Sequence, residues 1–154
     1  MITLTLPYPI SANRYWATRV INKGGKSMAL TYVTAEAKAF KEAVGWLARK
    51  AGIHAPIKGR VSVHIQLYPH RPLDYQKRMR LDPLYWADTV QRLDLDNARK
   101  VVNDALKDIV FEDDKYIWRD SGEVMEPDGR EACLVVTITP LAVAQPQGSL
   151  LEAV

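Results

Sequence analysis

Val61-Ser62-Val63-His64-Ile65-Gln66-Leu67-Tyr68 alternates aliphatic residues with polar or amphipathic ones along its whole length. A period of two marks a strand with one buried and one open face. What flanks this strand decides the fold class. Upstream, Thr34 is placed to cap a helix running to about residue 51, with Ala37, Phe40, Val44, Leu47 and Ala51 recurring on one side. Glu36 falls in the first turn, where the positive end of the helix dipole favours an acid, and Gly52 can supply the left-handed stop. Downstream, a second helix is expected from Asp96 to about Ile109. Its apolar stripe is Val101, Val102, Ala105, Leu106 and Ile109.

Further out, residues 2–6 alternate threonine with aliphatics and stop at Pro7 and Pro9, which gives a strand and an extended turn. Asn22-Lys23-Gly24-Gly25-Lys26 marks a hairpin tip between arms at 16–21 and 27–33. Residues 69–92 have no period and hold Pro69, Pro72 and Pro83, so they read as a long loop with one helical turn near 84–89. Residues 116–125 and 131–139 are expected as a second hairpin joined by Pro127-Asp128-Gly129-Arg130. Residues 140–154 are weakly patterned and are expected as a flexible tail. The sum is an α+β single domain over residues 1–139, a mixed β-sheet with two main helices packed on it.

The 154 residues suffice for one sizeable core, and a hydrophobic content of 47% excludes a disordered chain. Cys133 is the single cysteine, which excludes an intrachain disulfide and a thiolate cluster; its apolar surroundings suggest a buried, inert thiol. The opening residues form a strand pattern rather than a secretory leader, and no apolar run nears the ~20 residues a membrane helix needs. A soluble, cytoplasmic protein without membrane contact or small-molecule cofactor is expected. Lys and Arg exceed Asp and Glu by 21 to 18. Placement matters more than that excess: Arg71, Lys77, Arg78, Arg80 and Arg92 crowd one segment, as a polyanion-binding patch would. A solvated charged loop explains the same run.

Just beyond that segment comes Asp94-Leu95-Asp96-Asn97-Ala98-Arg99-Lys100, with Asp104 four residues later and Asp113-Asp114 beyond. Carboxylates this dense repel unless a cation lies between them, and a hard divalent ion such as Mg²⁺ suits oxygen donors. In an extended segment Asp94 and Asp96 would point the same way, and Asp96 as N-cap would sit among free N–H groups where a phosphate can also dock. Lys100, one turn on, could reach the same place as a point charge. A metal held by Asp94, Asp96 and Asp114, with Lys100 beside it, would suit phosphodiester hydrolysis. The plain alternatives are an acidic helix cap, an acidic turn at Asp113-Asp114, and a Lys100–Asp104 surface pair. An EF-hand fits poorly, because Arg99 and Ala105 occupy its glycine and glutamate positions. His54, His64 and His70 lack ligand spacing, and no Ser/His/Asp set or phosphate-cradling glycine loop is present.

The run Asp94-Leu95-Asp96-Asn97, then Lys100, then Asp104-Ala105-Leu106, resembles the D-x-D-N-x-x-K-x-x-x-D-A-L signature of RusA-type Holliday junction resolvases, small endonucleases often carried by prophages. Asp113-Asp114 follows at the family's interval. Leu6-Pro7-Tyr8-Pro9 with Ser11-Ala12-Asn13-Arg14-Tyr15 is similar to its opening, and Val33-Thr34-Ala35-Glu36 to the start of its first helix. The resemblance spans roughly residues 2–139. It implies a homodimer that makes paired symmetric nicks in four-way or other branched DNA during recombination and repair. Asp94, Asp96 and Asp114 (Asp113 as the alternative) would bind catalytic Mg²⁺, for which Mn²⁺ can substitute, and Lys100 would assist. Candidate DNA contacts are Arg14, Arg71, Lys77, Arg78, Arg80, Arg92 and Arg99. Two features depart from the pattern: Leu93 stands where a basic residue is usual, and residues 72–90 look like an inserted loop whose Tyr75, Tyr85 or Trp86 could stack on a base. A flap, fork or single-strand nuclease with the same site, and a non-catalytic branched-DNA-binding module, are the alternative readings.

Overall fold

The computed structural model describes residues 1–143. In chain order it contains β1 (Ile2–Pro7), α1 (Ala12–Tyr15), β2 (Trp16–Lys23), β3 (Lys26–Val33), α2 (Ala35–Lys50), β4 (Val61–Tyr68), α3 (Tyr75–Leu81), α4 (Leu95–Leu106), β5 (Ile117–Val124) and β6 (Cys133–Pro140). Two 3₁₀ turns lie at Trp86–Thr89 and Asp114–Tyr116. Four strands form one sheet in the order β1-β6-β4-β5, while β2 and β3 form a separate two-stranded ribbon. The expected α+β class with a mixed sheet is borne out.

The expected hairpin between residues 116–125 and 131–139 is not. β5 runs parallel to β4, and β6 is antiparallel to both β4 and β1, so β4 separates the two. Side-chain chemistry explains the order. β6 buries Leu134, Val136 and Ile138, and β4 buries Val61, Val63, Ile65 and Leu67, so both belong inside the sheet. β5 carries Arg119, Asp120, Ser121 and Glu123, and a charged strand is tolerated at an edge.

One sheet face carries the helices. α2 contributes Phe40, Val44 and Ala48, and α4 contributes Val101, Val102, Ala105 and Leu106, all joined with the strand residues in one core. Each of the larger side chains here, valine, leucine and phenylalanine, stabilises the fold by roughly 1.5–3 kcal/mol through burial. The cap at Thr34 is as expected: its Oγ1 accepts from the Ala37 N–H at 3.2 Å and donates to the Arg14 carbonyl at 2.7 Å. α4 is shorter than expected. It stops at Leu106, and Asp108 adopts a left-handed φ of 64°, so Ile109 packs from the following turn. The other sheet face is open, and its polar side chains pair across strands: His64 Nδ1 lies 2.7 Å from Ser121 Oγ, and Gln66 Nε2 donates to Glu123 Oε1 at 2.8 Å. Cys133 is half-buried rather than buried, and that burial pushes its thiol up, which keeps it inert.

Segment 72–90 is not a structureless loop. The helical turn expected near 84–89 is present at Trp86–Thr89, where Trp86 is buried. α3 is an addition: it buries no residue, so it left no periodic signal. Arg78 ties it down, with Nε donating to Asp74 Oδ1 at 2.8 Å and Nη1 to the Thr89 carbonyl at 2.9 Å. The hairpin tip is as expected, with positive φ at Gly24 and Gly25. No helix of the described residues is long and apolar enough to cross a membrane. The expected tail lies outside the described residues from position 144 on.

Candidate active site

The N-terminus of α4 is fixed by the start of the chain. The Leu93 N–H donates to Tyr8 Oη at 2.9 Å, and the Ala12 N–H donates to Asn97 Oδ1 at 2.6 Å. Asp94, not Asp96, is the N-cap, its Oδ1 accepting from the Asn97 N–H at 2.7 Å. That corrects the expected N-cap, which lies two residues earlier than Asp96. Asp96 falls in the first helical turn. Asp94 instead lines a cavity of about 700 Å³ with Arg92, Asp88 and Glu126. Asp96 is 72% exposed and pairs with Lys100 Nζ at 3.5 Å and Arg99 Nη1 at 4.0 Å. An exposed pair one turn apart contributes about 0.3–0.5 kcal/mol, so its carboxylate is easily released to another cation.

On the adjacent flank of α4, Lys100, Asp104 and Asp114 line a second cavity, of about 400 Å³, with Asp120, Arg99, Asn103, Trp16 and Ile117. The two adjacent aspartates are placed differently. Asp113 Oδ1 caps the 3₁₀ turn at the Lys115 N–H (3.2 Å) and its Oδ2 sits 3.7 Å from Lys107 Nζ. Those contacts hold the Asp113 carboxyl below the usual carboxylate range, led by the Lys115 N–H. Asp114 is the one on the cavity wall. Asp104 does not pair with Lys100. It accepts from the buried Tyr15 hydroxyl and lies 3.4 Å from Lys41 Nζ. Burial and this bond push the Tyr15 pKa far above its ordinary value, so the phenol stays protonated.

Asp120 was not singled out by sequence reasoning. It projects from β5 toward the helices, where burial raises its pKa against the lowering effect of Arg99. Arg99 Nε lies 3.2 Å from Asp120 Oδ1, an ion-pair distance, although the N–H is not aligned as a hydrogen bond. Gly122 faces the same way. A Cβ there would come within 2.8 Å of Ile65 Cγ1 and 3.6 Å of Arg99 Nη2, so glycine leaves room for this packing. The available signal was a carboxylate on the core-facing alternation of β5, but it needs the strand register to be read.

Among the described residues, no three His, Cys, Asp or Glu side chains stand together as a ready-made metal site, so Asp94, Asp96 and Asp114 are not pre-assembled around one point. The donors are nonetheless suited to a hard divalent cation. They are carboxylates plus the buried, unpartnered Asn103 Oδ1 on the cavity wall, all oxygen.

The family model of the endodeoxyribonuclease RusA matches residues 7–139, which takes in every element from the end of β1 to β6. The chain belongs to the RusA endodeoxyribonuclease family. Membership implies a Holliday junction resolving endonuclease, of a kind that typically uses a divalent metal. No curated protein matches the chain.

The cations expected to bind DNA in this RusA-family protein occupy unlike settings. Arg14 pairs with Glu36 at 2.8 Å, and the Arg71 guanidinium stacks over the Tyr75 ring at 3.9 Å. Arg78 is engaged by Asp74 and Thr89, and Arg99 by Asp96 and Asp120, so both are used internally. Arg92 is exposed and donates to the Leu93 carbonyl at 2.9 Å. Lys77 and Arg80 are exposed on α3 and have no carboxylate partner among the described residues.

Proposed function

We propose that this RusA-family endonuclease resolves four-way DNA junctions by divalent-cation-dependent hydrolysis. Mg²⁺ is the natural ion with Mn²⁺ as substitute, and the enzyme acts as a cytoplasmic homodimer that nicks two strands symmetrically. A two-fold dimer matches a two-fold substrate. One observation carries the reading: α4 and the 3₁₀ turn after it bring Lys100 and Asp114 to one cavity, with Asp96 3.5 Å from the same ammonium.

Asp94, Asp96 and Asp114 would hold the cation. When bound, it supplies a polarised phosphoryl oxygen and a more acidic water. The protein supplies the rest. Asp94 keeps one carboxylate oxygen on the helix cap, which fixes the start of α4. Arg99, seated between Asp120 and Asp96, keeps a positive charge beside the Asp96 carboxylate. Lys100 exchanges its weak pairing with Asp96 for the charge that builds on the non-bridging phosphate oxygens. Tyr15 and Lys41 hold Asp104 away from that ammonium. Exposed Lys77, Arg80 and Arg92 supply phosphate contacts along the duplex arms.

The test is a labelled synthetic four-way junction incubated with and without Mg²⁺, beside fork, flap and linear duplex controls. Cation-dependent paired nicks in the junction are expected. Equal cutting of forks or single strands would move the assignment to the flap or fork nucleases. Tight junction binding without cutting in either Mg²⁺ or Mn²⁺ would mark a non-catalytic module.

A further inference from the structure

The β2–β3 ribbon leaves the body of the protein at Tyr15 and Trp16 and returns at Val33, where the Thr34 N–H donates to the Tyr15 carbonyl at 3.0 Å. The first acidic residue of the chain is Glu36, yet Arg14, Arg19, Lys23 and Lys26 precede it. Arg14 is answered by Glu36 at the root. The other three have no carboxylate partner among the described residues.

The register sorts them. Arg19 pairs with Leu30, Ile21 with Met28, Lys23 with Lys26 and Ala17 with Tyr32. Alternation therefore puts all three free cations on one ribbon face, together with Ile21, Met28, Leu30 and Tyr32. Lys23 and Lys26 are direct cross-strand partners. Like charges placed opposite each other destabilise a hairpin, and an anion shared between them removes the penalty. The other face is uncharged: it carries Trp16 and Val33 at the root, exposed Val20 beside Ala29, the Thr18 and Thr31 hydroxyls 3.2 Å apart, and Ser27 Oγ donating to Asn22 Oδ1 at 2.8 Å.

We propose that the Arg19–Lys23–Lys26 face of the ribbon is a DNA-contact surface that lies along one duplex arm of the junction, next to the cutting site. The inference rests on the nuclease reading above. Trp16, at the ribbon root, is on the wall of the cavity that holds Lys100 and Asp114. From there the eight-residue arms reach about 27 Å. A two-stranded ribbon of this kind fits the major groove of B-DNA, about 12 Å wide. The cations would sit on phosphates, and Tyr32, which already lies 5.6 Å beneath the Arg19 guanidinium, against sugar or base edges. A second copy is the other occupant to consider for the apolar side chains. Ribbon against ribbon in a two-fold contact would set these three cations against the same three with no acid between them, and the charge argues for a polyanion instead.

The experiment is junction binding by the full chain in EDTA, measured against salt, for the wild type and for Lys23→Ser/Lys26→Ser. Removing two phosphate contacts per protomer should flatten the slope of log affinity on log salt by about 1.8 for each ribbon engaged, about 3.6 for a dimer with both ribbons on DNA. Lys23→Arg/Lys26→Arg should keep the wild-type slope, and sedimentation should show the same oligomer in all three. An unchanged slope in the serine variant overturns the proposal. So does a change of oligomeric state in Met28→Thr/Leu30→Thr with the junction slope intact, which would make the ribbon a protein contact. A wild type that binds no branched DNA at any salt would instead sink the nuclease reading itself.

Discussion

The cavity beside α4 and the β2–β3 ribbon start from neighbouring residues, Tyr15 and Trp16, and use charge in opposite ways. Around the cavity every cation has an answer within 4.0 Å: Lys100 with Asp96, Arg99 with Asp120 and Asp96, Lys41 with Asp104. Behind them stand Ala98, Val101, Val102, Ala105 and Leu106, all fully buried. On the ribbon no residue is buried, and three cations share a face without an acid. Charges that stand on a packed helix and answer one another start from a backbone fixed in position, as chemistry requires. Unanswered charges on a ribbon can bind a polyanion but cannot position one to ångström precision. Substitutions in the two regions should therefore fail differently.

The largest effect is expected from Asp96→Asn. It removes a proposed cation ligand while preserving shape, and nicking should fall by more than about a hundredfold. Since the side chain is 72% exposed, stability and junction binding in EDTA should hardly change. Parallel loss of binding and cutting would remove Asp96 from the metal site. Lys100→Ala comes next. The rate at saturating Mg²⁺ should drop by about a hundredfold, while the Mg²⁺ concentration for half-maximal rate stays put. A shifted half-saturation with an intact maximal rate would assign the lysine to holding carboxylates instead.

Stability separates the regions in the same way. Leu106→Ala, under α4, should cost about 2–5 kcal/mol in urea unfolding. Leu30→Thr, on the ribbon, should stay within about 0.5 kcal/mol of wild type. If the ribbon substitution costs as much as the core one, the ribbon is buried in an assembly and the contrast between the regions collapses.

What could be read from the sequence follows from what a local pattern can encode. Helix α2, with Thr34 at its cap and a one-sided stripe, and β4, with its strict alternation, were legible because each signal is complete within its own residues. The Gly24-Gly25 tip was legible because only glycine accepts that turn readily. Partner choice was not. The turn at 127–130 suggested that β5 would pair with β6, but the apolar β6 belongs between β1 and β4, and the charged β5 takes the edge. The site divided along the same line. Lys100 and Asp114 could be named from spacing, and they do share a cavity. Two aspartates two residues apart could not tell which one caps α4, and Asp120 needs the β4–β5 register before its inward direction shows.

The smallest expected effect on DNA binding lies in the segment between the two regions in sequence, and it tests whether exposure or mere positive charge decides a DNA contact. Arg80 and Arg78 stand two residues apart on α3 and look equivalent in sequence. Arg78 spends its guanidinium on Asp74 and on the Thr89 carbonyl and hydroxyl, at 2.8–3.1 Å, so Arg78→Ala should loosen α3 from the Trp86–Thr89 turn. The loss is expected to be about 1–2 kcal/mol or less, read as faster local amide exchange at residues 75–89. Arg80 is exposed, and Arg80→Ala should leave that exchange unchanged while lowering the salt slope of junction binding by about 0.9 for each protomer engaged. The reverse assignment, with Arg78 setting the slope and Arg80 silent, would mean that the Asp74 and Thr89 bonds break when DNA arrives. The 72–90 segment would then rearrange on binding, and the cations of this region would be recruited by the DNA, unlike the already free ammonium groups of the ribbon.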